Sequence, residues 1–284
     1  MAEKTLSDRT DPAADQRKKL FKDYEDLEFT DDFLFCRILE SEPSLAREII
    51  QVILGRQIGD IVMDVSQRSL RFTPFDHGVR LDIYAADSSD VIYNVEMQSV
   101  SDPNIGKRTR YYHSMISLDQ LGRGRKYHEL PKSFVIFICK DRPSALHSDL
   151  PLMTFRNMCE KDPNIDLHDE AVTVIVNASG TRDGLSDKMR SFLDFIENRK
   201  VSDDLTGELD RQVEMARRSE KWRVEYMTLG MKYDEYYEQG KAEGEEKPVV
   251  LISRMIKDGR IADIEKVVSD PDYRQKMYAQ YGIK

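Results

Sequence analysis

The sequence predicts an α/β protein with a mixed sheet flanked by helices and a helical C-terminal extension. Two apolar runs, Ser133–Cys139 and Ala171–Val176, have the length and the Val, Ile and Phe content of central strands. A third stretch, Gly78–Gln98, alternates apolar and polar residues on both sides of the turn-forming segment Ala86–Asp90 and predicts a β-hairpin. Around these strands, apolar residues recur at intervals of three and four, which predicts covering helices.

The 284 residues are enough for one sizeable core and a smaller unit. Composition divides the chain into five parts. Residues 1–27 are a largely disordered charged tail and residues 28–200 a core domain. A helical extension (201–235), a charged linker with two glycines (236–247) and a small helical module (248–284) follow. No run of about 18 apolar residues is present, so no membrane span is expected. The polar N-terminus is unlike a secretory signal, and a cytoplasmic location is expected.

Helix and strand boundaries follow from caps and turn formers. Thr30 or Asp31 is predicted to cap a first helix that stops near Ser41–Pro43, and Ser44 a second helix that stops at Gly55. The remaining predicted elements are strands at Ile61–Val65, Ser69–Phe72 and Met153–Phe155, a turn at Thr73–Asp76, and helices at Asn104–Leu121, Ser186–Asn198 and, as a pair, Gly207–Met231.

The hairpin carries carboxylates where a core sheet should be apolar. Pairing its arms about Ser89 places Asp82 opposite Glu96, with Cβ atoms about 5 Å apart. Gln98 follows Glu96 on the same strand face because strand side chains repeat with period two. Like charges this close are unfavourable unless a proton or a cation lies between them, and a divalent metal would relieve the repulsion. The alternative is that both acids lie on a solvated outer face of the hairpin.

These residues resemble the Asp…Glu-x-Lys centre of PD-(D/E)XK nucleases in a Glu-x-Gln form, with Leu81 where many relatives carry Pro. Among these nucleases, the sequence around the motif resembles most the recombination-promoting nuclease, or transposase-like, family. The resemblance covers roughly residues 28–230 and rests on an ordered set of segments: Thr30–Phe35, Val79–Tyr84, Tyr93–Gln98, Lys107–Tyr112, Lys132–Cys139 and Glu225–Met227.

The resemblance implies a restriction-endonuclease-like core and a metal-dependent DNA endonuclease active in recombination or transposition. Asp82 and Glu96 would hold Mg²⁺ or Mn²⁺ together with the backbone carbonyl of Met97, and Gln98 would occupy the position of the usual lysine. Asp32, at the start of the first helix, is an accessory candidate, although an acid there also complements the helix dipole.

A net charge of −9 argues against a nucleic-acid binder, but the distribution of charge matters more. Ser101–Lys126 holds six basic and two acidic residues and directly follows the hairpin. A solvated helix face is the alternative to a phosphate-binding strip. The candidates for nucleic-acid contact, some of them implied by the resemblance, are Lys107, Arg108, Arg110, Tyr111, Tyr112, Arg123, Arg125 and Lys126.

Other chemistries have little support in the sequence. The five His residues are scattered without H-x-x-x-H spacing, which disfavours zinc, and His113 is expected on a helix surface. Cys36, Cys139 and Cys159 are far apart and predict buried reduced thiols. No G-x-S-x-G elbow occurs.

Two functions therefore stay open. One is the endonuclease, for which a homodimer is expected because double-strand breaks usually need two sites. The other is a nuclease-like protein that binds nucleic acid or a protein partner without cleavage, which the acidic total charge and the missing lysine would allow.

Overall fold

A six-stranded mixed sheet lies at the centre of the fold, in a computed structural model that describes residues 22–63, 69–70, 79–121, 126–257, 263, 266–267 and 270–283. Its strands, in order across the sheet, are β1 (Ile61–Met63), β4 (Ile83–Asp87), β5 (Ile92–Gln98), β6 (Ser133–Cys139), β8 (Ala171–Asn177) and β7 (Leu152–Phe155). β5, β6 and β8 are parallel, while β1, β4 and β7 pair antiparallel to their neighbours. A separate two-stranded sheet joins β2 (Ser69–Leu70) and β3 (Val79–Arg80). The predicted mixed α/β class is confirmed.

Two short 3-10 helices are described, at Tyr24–Asp26 and Tyr127–Glu129. The named α-helices are α1 (Asp32–Ser41), α2 (Pro43–Leu54), α3 (Ile105–Gln120), α4 (Asp187–Asn198), α5 (Asp204–Arg217), α6 (Glu220–Lys257) and α7 (Pro271–Gln280). In the chain, α3 connects the parallel strands β5 and β6, and it lies across one face of the sheet. Its inward stripe of Ile105, Tyr112, Met115 and Ile116 packs on Val135, Phe137 and Cys139 of β6. The alternate residues of the same strands, such as Ile136 and Ile138, are buried on the other face, where α1, α2, α4 and α5 pack.

Several boundaries match the sequence prediction closely. β6 has the predicted limits, α4 begins after the cap Ser186, whose hydroxyl accepts from the Met189 N–H, and α2 ends at Gly55 with φ of 64°. α2 begins two residues earlier than a Ser44 cap predicts, at Pro43, because proline is favoured in the first helical turn, and Ser44 is therefore not its cap. Asp31 precedes α1, but its carboxylate accepts from the Glu28 N–H instead of capping the helix.

The ends of the predicted core domain differ from expectation. Residues 22–27, predicted as the end of the tail with room for a helical turn, do contain the 3-10 helix Tyr24–Asp26, but they are not disordered. Tyr24 and Leu27 are buried, and the Tyr24 hydroxyl donates to the Ala216 carbonyl at 2.5 Å. The predicted linker 236–247 lies inside the continuous helix α6, which also contains Pro248. The compact units of the fold are Lys22–Ser219 and the part of the chain from Glu220 onward. The predicted tail up to residue 21 and the Thr73–Asp76 turn lie outside the described residues.

The second unit has a small core of its own. Leu251 and Met255 of α6 pack with Val267 and with Met277 of α7. The predicted C-terminal module therefore shares its first helix with the predicted extension. No described helix is long and apolar enough to cross a membrane.

Candidate active site

The two predicted carboxylates meet at the open end of the β4–β5 hairpin. The register pairs Ile83 with Val95, so Asp82 lies opposite Glu96 as predicted. β4 begins only at Ile83, and the chain bends at Asp82 instead of continuing the ladder from β3. The bend lets the Asp82 N–H donate to Glu96 Oε1 at 3.2 Å, and the Met97 N–H donate to Asp82 Oδ2 at 3.0 Å. Each acid is therefore held by the other's strand.

The environment of both acids disfavours two bare negative charges. Glu96 is 3% exposed, on the sheet face that α3 covers. Burial, followed by the charge of Glu96, raises the pKa of Asp82 well above its usual range. Burial also raises the pKa of Glu96, although hydrogen bonding from the Asp82 N–H and the charge of Arg108 oppose this. In the absence of a cation the pair therefore favours keeping a proton.

Asp32 and Cys36 reach the same acids from α1. These two residues and Asp82 each place a ligand atom within 4.8 Å of the other two, and the Cys36 thiol donates to Asp32 Oδ1 at 3.7 Å. Asp32 also raises the pKa of Asp82 through its charge and a side-chain hydrogen bond. The structure thus brings the accessory candidate Asp32 to the site. Cys36 was not predicted there, although its spacing of four residues from Asp32 on a helix gave that signal.

Gln98 is turned toward α3 and away from direct contact with the acids. Its Oε1 accepts from Arg108 Nη1 at 2.6 Å. The same Nη1 donates to Asp102 Oδ2 at 3.0 Å, and Nη2 donates to the Tyr112 hydroxyl at 3.0 Å. The guanidinium lies 5.0 Å from the Phe137 ring centroid, and its Nη2 is 3.9 Å from Glu96 Oε2. Arg108 is therefore part of the carboxylate site.

The described members of the predicted basic strip differ in their exposure. Lys107, Arg110 and Tyr111 are exposed on the outer side of α3, while Tyr112 is buried and stacks on Phe137 with ring centroids 5.8 Å apart. Lys126 is exposed and follows the C-terminal end of α3. A helix of 16 residues is about 24 Å long, so Lys126 comes after the end of α3 that is far from Lys107. Arg123 and Arg125 lie outside the described residues.

Two polar side chains, those of His113 on α3 and Asn94 on β5, lie on the covered face of the sheet, and that of His113 differs from expectation. His113 is neither a surface residue nor a site residue: its Nδ1 lies 3.0 Å from Ser133 Oγ and its Nε2 3.1 Å from Thr173 Oγ1. Asn94 is fully buried two residues before Glu96, close enough to lower the pKa of that acid.

This donor set fits a hard divalent cation. Asp32 and Asp82 place carboxylate oxygens within 4.8 Å of each other, and Glu96 Oε1 accepts from the Asp82 N–H, so three acids gather beside Arg108. Mg²⁺ and Mn²⁺ prefer such oxygen ligands. Of the three cysteines, Cys36 and Cys139 are buried as predicted, but Cys159 is exposed in an irregular segment.

A mixed sheet with helices on both faces, and an Asp/Glu pair at the end of a sheet hairpin, define a restriction-endonuclease-like protein. Comparison with known families agrees: residues 30–241 match the PD-(D/E)XK nuclease family transposases. The match spans most of the chain, and the protein belongs to this family. Searches of curated proteins and of solved structures gave no match.

Proposed function

We propose that the protein is a divalent-metal-dependent endonuclease that hydrolyses phosphodiester bonds in DNA during recombination or transposition. The observation that carries the proposal is the convergence of Asp82, Glu96 and Asp32 in a chain of the PD-(D/E)XK family. Buried acids that repel one another are found where function requires them, because they lower the stability of the fold.

Asp82 and Glu96 would hold Mg²⁺ or Mn²⁺, with Asp32 as a third acid. The Met97 N–H fixes one Asp82 oxygen. An extended residue directs its N–H and its carbonyl to the same side, so the Met97 carbonyl is suited to contribute an oxygen there. When bound, the metal lowers the pKa of water and stabilises negative charge on the phosphate under attack. The chain itself keeps the acids in place and excludes water from one side of Glu96.

The outer face of α3 supplies contacts for the DNA backbone. Lys107 and Arg110 are exposed there, close in sequence to the site residue Arg108, and Tyr111 is 39% exposed. Such contacts position a duplex without reading its sequence. Because the described outer face of α3 offers Lys107 and Arg110 as its phosphate contacts, DNA binding should depend less steeply on salt than in nucleases with many such contacts.

A second candidate function is a protein of this family that binds DNA or a partner without cutting it. The observation that favours it is Gln98, an uncharged side chain that donates to the Val100 carbonyl and accepts from Arg108. The two candidates differ in turnover and share the metal site.

Nicking of supercoiled plasmid with Mg²⁺ or Mn²⁺ separates them. Wild type is expected to convert plasmid to nicked and linear forms, Asp82→Ala and Glu96→Ala to lose at least about 100-fold in rate, and the exposed control Asp183→Asn to match wild type. Calorimetry with Mn²⁺ runs in parallel. Metal binding with intact plasmid would support the second candidate, and equal cleavage by all variants would refute the site.

We also propose a homodimer, because cutting both strands at one place needs two sites. Linear product that appears before the nicked form is exhausted, together with a mass of twice 33.0 kDa in light scattering, would support it. A monomer that yields only nicked circles would contradict it.

A further inference from the structure

Gln98, two residues after Glu96, is uncharged where the family motif has a positive charge. The family motif places a lysine two residues after Glu, and this chain has Gln98 there. A glutamine amide donates and accepts hydrogen bonds but carries no charge. The nearest described cation to Glu96 is instead Arg108 on α3, with Nη2 3.9 Å from Glu96 Oε2.

Arg108 is held in one orientation by three polar partners and two rings, with its Cζ 5.5 Å from the Tyr112 ring centroid and 5.0 Å from that of Phe137. Gln98 and Asp102 accept from Nη1, and Tyr112 accepts from Nη2. Phe137, a fully buried residue of β6, lies beneath the guanidinium. A planar fork fixed on two edges and one face loses little entropy when it binds a further ligand.

The guanidinium remains open to a ligand. The Arg108 side chain is 33% exposed, while the side chain of Glu96 beside it is 4% exposed. A separation of 3.9 Å from Glu96 is too long for a hydrogen bond, and it allows Nη2 to shift toward an anion that enters the site. Arginine suits phosphate particularly well because its N–H groups match two phosphate oxygens.

We propose that Arg108 supplies the positive charge that lysine supplies in the family motif and that it binds the scissile phosphate, with Gln98 as the residue that positions it. This inference rests on the proposed endonuclease function. Gln98 is the intermediary, because its Oε1 at 2.6 Å fixes the guanidinium edge that faces the end of β5. The role of Arg108 thus differs from that of Lys107, which adjoins it on α3 but points to solvent.

A reciprocal exchange of charge tests the proposal. Arg108→Gln is expected to lower kcat for plasmid cleavage about 100-fold, the range found when a preorganised charge-stabilising donor is removed. Gln98→Lys alone places a second cation against Arg108 and is expected to be slower than wild type. The double variant Gln98→Lys/Arg108→Gln returns one cation to the site and is expected to recover at least 10-fold over Arg108→Gln.

The matched control is Lys107→Gln, which removes the same charge one residue away. It is expected to raise KM and leave kcat within about twofold, as loss of a uniform binding contact does. Mn²⁺ titration gives a readout besides activity: Arg108→Gln should bind Mn²⁺ more tightly, because a cation near Glu96 has been removed. Arg108→Lys, which keeps the charge but loses the planar fork, is expected to cleave at a rate between wild type and Arg108→Gln.

The outcomes are distinct. Cleavage by Arg108→Gln at the wild-type kcat, or a double variant no faster than Arg108→Gln, would overturn the role of Arg108 and leave the endonuclease intact. A wild-type protein that binds Mn²⁺ but never cleaves plasmid would overturn the proposed function, and the role of Arg108 with it. Slow Arg108→Gln, tighter Mn²⁺ binding and recovery in the double variant together would establish the assignment.

Discussion

Replacement of His113 should remove a defined part of the acid sensitivity of the fold. The imidazole lies between the hydroxyls of Ser133 and Thr173, and burial lowers its pKa from 6.5 to about 4. Between these values the unfolded chain binds a proton that the folded chain does not, so stability falls as pH falls. Lowering the pH from 7.5 to 5 should cost about 2 kcal/mol through this residue alone.

Urea unfolding at pH 7.5 and pH 5, followed by circular dichroism, measures the effect. His113→Gln keeps groups that can bond to both hydroxyls and cannot take up the proton, so its loss of stability should be about 2 kcal/mol smaller than that of wild type. His128→Gln, at an exposed position in the turn Tyr127–Glu129, serves as control and should follow wild type. Parallel losses in wild type and His113→Gln would refute the reasoning.

Three further predictions concern the site and the core. Asp82→Asn keeps an acceptor for the Met97 N–H and removes a carboxyl group whose pKa is raised in the folded chain. A carboxyl group with a raised pKa stabilises the fold at low pH, and this stabilisation is lost as pH rises. The metal-free variant should therefore melt higher than wild type at pH 8 and give no Mn²⁺ heat in calorimetry; a lower melting temperature would contradict this. Cys36→Ser should weaken Cd²⁺ binding at least about 10-fold and abolish the ultraviolet thiolate–cadmium band while leaving Mg²⁺ binding unchanged, since cadmium prefers sulfur and magnesium oxygen; an unaltered band would exclude the thiol as a ligand. Phe137→Ala should lower the free energy of unfolding by about 3–5 kcal/mol in urea titration, because its ring is fully buried under α3; a loss below about 1 kcal/mol would show that the core relaxes around the gap.

The parts of the fold that local patterns control were predictable. Pairing the arms about the turn at Ala86–Asp90 predicted the register that places Asp82 opposite Glu96, because strand side chains alternate strictly. Apolar content defined β6, and the cap Ser186 defined the start of α4. These features depend on neighbours within a few residues, which a single sequence contains.

The features that sequence alone missed depend on contacts between layers. His113 follows the buried Thr109 by four residues, yet only the position of Ser133 and Thr173 beneath α3 shows that it is inward. The direction of Arg108 was likewise invisible, because a helical Arg between two faces can point to solvent or to the sheet. Charged residues and glycines at 236–247 suggested a linker, but a long helix tolerates isolated glycines at about 1 kcal/mol each.

The bend at Asp82 and the turn beyond β4 divide the hairpin into two arms, whose length is constrained, and a tip, whose length can change. The tip around Ser88–Asp90 joins two arms whose alignment is already set by buried Ile83 and Val95, so residues can be added there without disturbing the acids. One residue inserted between Ile92 and Glu96 would rotate Glu96 to the opposite side of the sheet and point an aliphatic chain at Asp82. Length variation among homologous chains should therefore concentrate at the tip and avoid the arms.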